Sequence, residues 1–158
     1  MFDPTTYTGV HTWLSIIAIL AGIPVVGGLL RGQALPGWTA LFLATAVATS
    51  ATGFGFPFGG LLPSHIVGGV ALAVLAVAMI ARYVQRLAGA WRGIYALAAV
   101  ASLYFLVFVA IAQSFQKIPA LQSPEPGTPF AVSQLVALAL FAALAFAAFR
   151  GFRPAPAR

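Results

Sequence analysis

The sequence predicts an all-α integral membrane protein, a compact bundle of five transmembrane helices. The first observation is composition, since 61% of the 158 residues are hydrophobic and 6% are charged, whereas soluble domains average about 25% charged residues. The second is that five segments each hold about 20 predominantly apolar residues, the length that crosses the hydrocarbon core of a bilayer. The third is the distribution of the arginines, which all fall on one side when the chain crosses five times.

The first two segments cover residues 11–30 and 37–56. Proline inside the first segment predicts a kink near the middle of the membrane. In the second segment, three threonines recur at i, i+4 and i+7, which places their hydroxyls on one helix face. We expect each hydroxyl to bond its own helix or a neighbour, and the alternative is a functional polar track formed by Thr45, Thr49 and Thr52.

The other three segments cover residues 65–84, 91–116 and 130–149. Ser64 follows a proline and precedes the third segment, where it is a natural N-cap. The fifth segment is rich in alanine, and small residues allow the close helix contacts by which membrane helices associate. The whole chain, 1–158, is therefore predicted to form a single transmembrane domain.

The basic residues predict the orientation of this bundle. In a five-pass arrangement seven arginines share one side with the short basic tail 150–158, while the opposite side carries Lys117 as its one basic residue. Connections rich in lysine and arginine stay in the cytoplasm. We therefore predict a periplasmic N-terminus and a cytoplasmic C-terminus, in a bacterial inner membrane. The arginines concerned are Arg31, Arg82, Arg86, Arg92, Arg150, Arg153 and Arg158.

Composition also excludes several functions. The chain has no cysteine, which excludes disulfides, thiol nucleophiles, zinc–thiolate sites and iron–sulfur clusters on it. Its eight basic residues are too few for a nucleic-acid surface. The two carboxylates lie outside the spans, and the sequence has no serine–histidine–aspartate set, HExxH motif or phosphate-binding loop. We therefore expect a protein that is not an enzyme.

Polar residues gather at the predicted periplasmic face. The two histidines of the chain open segments one and three, so both lie at the same depth. A stretch in which phenylalanine alternates with glycine precedes the second histidine, and this composition suits the rim of a pocket or a short interfacial hairpin. The candidate ligand-binding residues are His11, His65, Gln113, Gln116, Lys117, Gln134, Phe54, Phe56 and Phe58.

Three interpretations of the histidines stay open. In the first, His11 and His65 are interfacial residues that bond loop backbone or water. In the second, they jointly ligate a b-type haem or a copper or zinc ion, although copper and zinc sites usually need a third ligand. In the third, they belong to a pocket for an amphipathic ligand such as a quinone or a lipid head group.

The leading functional hypothesis is a non-catalytic accessory subunit. It would bind a partner membrane complex, a second copy of itself, or a lipid-like or quinone-like ligand at its periplasmic face, with membrane lipids around it. The first alternative is a haem- or metal-binding electron-transfer protein that uses His11 and His65. The second is a small oligomeric channel or exporter in which the threonines of segment two face the pore.

Three sequence blocks carry a resemblance to a family. GWTALFLATAVATSATGFGFPF, LAGAWRGIYALAAVASLYFLVFV and QSFQKIPAL together resemble small multi-pass inner-membrane proteins of proteobacteria, which form a family of hypothetical proteins. The resemblance extends roughly from His11 to Phe149 and implies the same topology and location, without implying an activity. Those proteins tend to carry an asparagine in the fourth helix, at the place where this chain has Leu106.

Overall fold

Five α-helices make up the computed structural model, which describes residues 3–56, 63–121 and 127–153, without the side chains of residues 63 and 64. The predicted all-α class and the five helices are confirmed. A π-helical turn, Ile80–Val84, continues the third helix, and a 3₁₀ turn, Pro119–Leu121, follows the fourth. The helices are α1 (Tyr7–Leu30), α2 (Pro36–Gly53), α3 (Pro63–Met79), α4 (Trp91–Lys117) and α5 (Thr128–Gly151).

Four stretches within the described residues are long and apolar enough to cross a membrane. Three of them are α1, α4 and α5. The fourth, His65–Val84, combines most of α3 with its π-helical turn. The 18-residue α2 is not among them, because its threonines and its serine lower its mean hydropathy. By length and composition, the chain is a helical, multi-pass membrane protein.

Local sequence explains where the helices begin. The Thr6 hydroxyl accepts a hydrogen bond from the Gly9 amide at 3.0 Å and so caps α1. Proline stands in the first turn of α2 and of α5, where its missing N–H has no intrahelical partner to lose. Pro24 lies inside α1 and does not end it.

The core combines small residues with a few large apolar side chains. Ala18, Ala21 and Gly22 on α1 are buried, and they let α1 approach Phe42 of α2 and Leu103 of α4. Such close approach supplies van der Waals contact, which drives helix association where lipid already solvates apolar groups. The largest fully buried side chains are Tyr95, Phe42, Phe152, Leu29 and Leu75.

The helices alternate in direction, so the bundle has two distinct ends. Thr52 near the end of α2 lies 2.9 Å from His11 near the start of α1. At the opposite end, Arg82 lies 5.6 Å from the ring centre of Tyr95, where the third helix ends and α4 begins. Phe152, just after α5, packs on the same tyrosine ring. We call the two ends the histidine end, which carries His11 and His65, and the arginine end.

The π-helical turn is a difference from the uninterrupted third helix that the sequence predicts. The Gln85 amide bonds the Ile80 carbonyl at 2.9 Å, five residues back, in place of the usual four. Arg86 and Leu87 then adopt positive φ angles of 49° and 60°, which turn the chain into α4. Arg82 lies inside this turn, and its Cζ atom is 5.6 Å from the ring centre of Tyr95.

Candidate functional site

A cavity of about 550 Å³ opens among the first four helices at the histidine end. We call it the α1–α4 cavity. Its walls come from α1, α2, α3 and α4 and from the residues that directly follow α2 and α4. Its volume falls within the range of about 300–1,000 Å³ that is typical of small-molecule pockets. The bundle therefore has room for a ligand at the end where the sequence gathers polar groups.

The mouth of the cavity is polar and carries one permanent cation. Lys117 occupies the last turn of α4, and Gln113 lies one turn before it on the same face. Both side chains are exposed at the surface of the protein. Amide, hydroxyl, imidazole and ammonium groups thus surround the opening. The polar residues near the mouth are Thr8, His11, Thr12, His65, Gln113, Ser114 and Lys117.

His11 is fixed by contacts with the end of α2 and the chain beyond it. Its Nδ1 atom lies 2.9 Å from the Thr52 hydroxyl. The imidazole and the Phe56 ring form a T-shaped pair, with 5.2 Å between ring centres and 87° between planes. Tyr7 supports the same arrangement, because its hydroxyl donates to the Thr52 carbonyl and its ring contacts Phe56. The imidazole is therefore held in one orientation at the cavity wall.

His65 lies across the opening, at the start of the third helix. Its ring packs on Phe54, with 5.8 Å between ring centres. Phe54 also covers Gly68, one turn further along α3, where a Cβ atom would lie 3.3 Å from the phenylalanine ring. Phe54 and Phe56 thus each contact one histidine, and together they form part of the cavity rim.

The interior of the cavity is mainly apolar. Ile16 and Ile19 on α1, Leu75 on α3, and Phe105 and Leu106 on α4 line it. Since an α-helix rises about 1.5 Å per residue, the walls extend for about 22 Å along α4, from Lys117 to Ser102. That length exceeds half of the hydrocarbon core, which is about 30 Å thick. The α1–α4 cavity is therefore long and mainly apolar, with a polar mouth.

Three buried hydroxyl side chains differ in their hydrogen bonding. Thr39 pairs with the Tyr95 hydroxyl at 3.2 Å, near the arginine end. Ser102, at the inner end of the cavity, donates to the Ala98 carbonyl at 2.8 Å. Thr49 also lines the cavity, but its buried hydroxyl has no partner among the described residues. A buried hydroxyl without a hydrogen-bond partner lowers the free energy of unfolding by about 1–3 kcal/mol. Of these three side chains, Thr49 is the one that carries this cost.

Six of the nine sequence-predicted site residues line this cavity. They are His11, His65, Gln113, Lys117, Phe54 and Phe56. Gln116 is exposed and is not part of the lining, and Phe58 lies outside the described residues.

Gln134 serves a different contact from the predicted one. Its amide donates to the Phe108 carbonyl at 3.0 Å, and its own carbonyl oxygen is buried without a partner among the described residues. It therefore joins α5 to α4 and does not reach the cavity lining. A glutamine near a helix start can face a pocket or a neighbouring helix, and spacing alone does not distinguish the two.

The three threonines of α2 differ in their hydrogen bonds. Thr45 and Thr52 each donate to the carbonyl four residues earlier, at 2.7 Å, as expected from the sequence, whereas the Thr49 hydroxyl, expected to bond in the same way, has no partner among the described residues. Thr49 alone of the three lines the cavity. The oligomeric channel, in which these threonines would face a pore between copies of the chain, stays a prediction.

Hydroxyl residues on α1 belong to the candidate site but are not among the residues predicted from the sequence. Thr8, Thr12 and Ser15 line the cavity together with His11. They recur at i, i+4 and i+7, the spacing that places residues on one helix face. The signal was available in the sequence, since this face also includes one of the two histidines.

The site has limited capacity for a metal ion. Within residues 3–56, 63–121 and 127–153, no three histidine, aspartate or glutamate side chains lie together as a metal site would require. The histidines contribute two nitrogen-bearing rings to one cavity, which is the number that a b-type haem uses.

Comparisons with protein-family models, with curated proteins and with solved structures found no match. The structure and its composition thus support a small helical protein with four candidate membrane spans, and no family is identified. Leu106 lines the α1–α4 cavity.

Proposed function

We propose that the chain is a five-pass protein of a bacterial inner membrane with its histidine end in the periplasm. The antiparallel contacts of α2 with α1 support a crossing by α2 as well, and its 18 residues extend about 27 Å, close to the thickness of the hydrocarbon core. The arginine end carries Arg31, Arg82, Arg86, Arg92 and Arg150, and basic connections stay in the cytoplasm.

The orientation can be tested with fusions to the full chain. We expect a reporter that is active only in the cytoplasm to be active when fused after Arg158, and a reporter that is active only in the periplasm to be silent there. The same pair of reporters before Met1 provides the internal control and is expected to give the reverse pattern. A silent cytoplasmic reporter after Arg158 would reverse the orientation and place the histidine end in the cytoplasm.

Within this topology, we propose a non-catalytic accessory protein that binds a lipid-like or quinone-like ligand in the α1–α4 cavity. The observation that carries the proposal is the gradient along the cavity, from a mouth with Lys117, Gln113 and the two histidines to an interior of isoleucine, leucine and phenylalanine. An amphipathic ligand matches such a gradient, because its polar head meets hydrogen-bonding groups while its apolar part meets apolar walls.

The surface of α5 supports the accessory part of the proposal. Its side chains are largely exposed, among them Leu135, Val136, Leu140 and Phe146. Around the bundle this face meets membrane lipids, a second copy or a partner membrane protein, and its alanines permit close helix contact with any such partner. The cavity and the exposed face of α5 are on different parts of the bundle, since α5 contributes no described residue to the lining.

Native mass spectrometry tests the ligand proposal. We expect the full chain, extracted in a mild detergent, to retain a non-covalent amphipathic species, and we expect His65→Ala to reduce its occupancy severalfold because the imidazole lines the mouth. Ile66→Ala is the matched control, since Ile66 is the next residue, is 64% exposed and does not line the cavity. Equal occupancy in the two variants would mean that the ligand does not bind in the α1–α4 cavity.

The same experiment addresses haem, the second candidate. One observation favours it, namely that His11 and His65 line one cavity from different helices. A bound species with the mass of haem, together with an absorption band that both His11→Ala and His65→Ala remove, would replace the lipid-like ligand with a haem. A colourless protein with a bound lipid or quinone supports the leading proposal.

A further inference from the structure

We infer that the ligand of the α1–α4 cavity is an amphiphile with an anionic head group, held at Lys117, and with an apolar tail that extends along α4 toward Ser102. This inference rests on the proposed function and specifies the chemical class of the ligand. It follows from the charges at the mouth and from the length and lining of the interior.

The charges around the mouth are unbalanced among the described residues. In this part of the chain Lys117 is the one permanently charged side chain of the cavity lining, and no carboxylate belongs to that lining. Of the two acidic residues in the chain, Asp3 accepts hydrogen bonds at 2.9 and 2.7 Å from the amide and hydroxyl of Thr5, and Glu125 lies outside the described residues. An anionic head group would supply the missing negative charge.

Neighbouring donors strengthen the case for an anion. The Gln113 amide, one turn before Lys117, and the Thr8 hydroxyl lie in the same mouth, whereas the Thr12 hydroxyl donates to the Thr8 carbonyl at 2.8 Å. A carboxylate or a phosphate accepts several such hydrogen bonds at once, and charge-assisted bonds are roughly twice as strong as neutral ones. A lysine in the last turn of a helix also interacts favourably with the helix dipole, but that role requires neither a cavity nor the surrounding donors.

The interior specifies the tail. Between Ser102 and Gln113 the lining residues of α4 are all apolar, namely Phe105, Leu106, Val109 and Ala110. The distance from Lys117 to Ser102 is about 22 Å along the helix axis, more than the depth of one leaflet of the hydrocarbon core. An extended acyl or alkyl chain fits this length and needs no hydrogen bond from the walls. A compact polar molecule would leave most of the apolar lining without van der Waals contacts.

The test compares three probes that share one alkyl chain. Hexadecanoate, hexadecyl phosphate and uncharged hexadecanol are titrated into the purified full chain in a nonionic detergent at a mildly alkaline pH, with binding measured by native mass spectrometry. We expect at least one anionic probe to bind about tenfold more tightly than hexadecanol. Lys117→Gln is expected to abolish that preference, and Lys117→Arg, which keeps the charge, is expected to retain it.

The outcomes separate the two proposals. A preference for hexadecanoate assigns a carboxylate head group, a preference for hexadecyl phosphate assigns a phosphate, and either result supports the inference. Equal binding of hexadecanol, or an anion preference that survives Lys117→Gln, overturns the inference and leaves the proposed function intact. If none of the three probes binds the wild-type chain, both the inference and the lipid-like ligand of the proposed function fail.

Discussion

Replacing Gly22 by valine is expected to lower the free energy of unfolding by about 3 kcal/mol, at the upper end of what overpacking a core costs. A Cβ atom at Gly22 would lie 2.6 Å from Cδ1 of Leu103 and 3.0 Å from Cε2 of Phe42. Both neighbours are buried, at 4% and 0% exposure, so neither can move into open space. The added branches of valine would force α1 away from α2 and α4.

Gly27→Val provides the control on the same helix. A Cβ atom at Gly27 meets nothing within 4 Å, so the valine is expected to change stability by less than about 0.5 kcal/mol. Unfolding of both purified variants in a denaturing detergent, followed by circular dichroism, measures the difference. If both valine variants lose the same free energy of unfolding, the predicted effect of the close approach of α1 to its neighbours at Gly22 is wrong.

Replacing Ala71 by phenylalanine is expected to weaken ligand binding about tenfold. Ala71 lies on α3, is 7% exposed and lines the α1–α4 cavity. A phenyl ring built there would occupy space that the apolar part of a ligand needs, and steric conflict in a packed interior costs about 1–3 kcal/mol, or roughly 5- to 150-fold in affinity. Occupancy by co-purified amphiphile, measured by native mass spectrometry, gives the result.

The matched variant is Ala73→Phe, two residues further along α3. Ala73 is exposed and is not part of the cavity lining, so its ring is expected to face away from the cavity and to leave occupancy unchanged. Both variants need the same thermal stability as the wild type for the comparison to count. Retention of the ligand by Ala71→Phe would mean that the ligand binds elsewhere on the protein.

The position of the site along the bundle was predictable from the sequence. Hydropathy and arginine placement predict five helices of alternating direction, and alternation brings the start of α1, the start of α3 and the end of α4 to one end. His11, His65 and Lys117 therefore lie around one opening, although they are separated by dozens of residues in the sequence. This inference needs only helix direction and no knowledge of side-chain packing.

The cavity itself was not predictable in the same way. Periodicity shows which residues share a helix face, but an internal space depends on the distances between helices and on which side chains fail to fill the gap. Thr49 illustrates the limit, since it follows the same spacing as Thr45 and Thr52, yet it is the one of the three whose hydroxyl finds no partner within the described parts of the chain. The π-helical turn at Ile80–Val84 has no evident sequence signal either.

If the α1–α4 cavity binds an amphiphile as proposed, the cavity also connects the stability of this protein to the composition of its membrane. Side chains that line an open space lack dispersion contacts on one side, and any occupant that binds the folded bundle alone stabilises it in proportion to the logarithm of its concentration. At a hundred times its dissociation constant, such an occupant adds about 2.7 kcal/mol. The cavity has about 550 Å³ to fill. The melting temperature of the bundle would therefore rise with the concentration of the amphiphiles in the membrane that bind there.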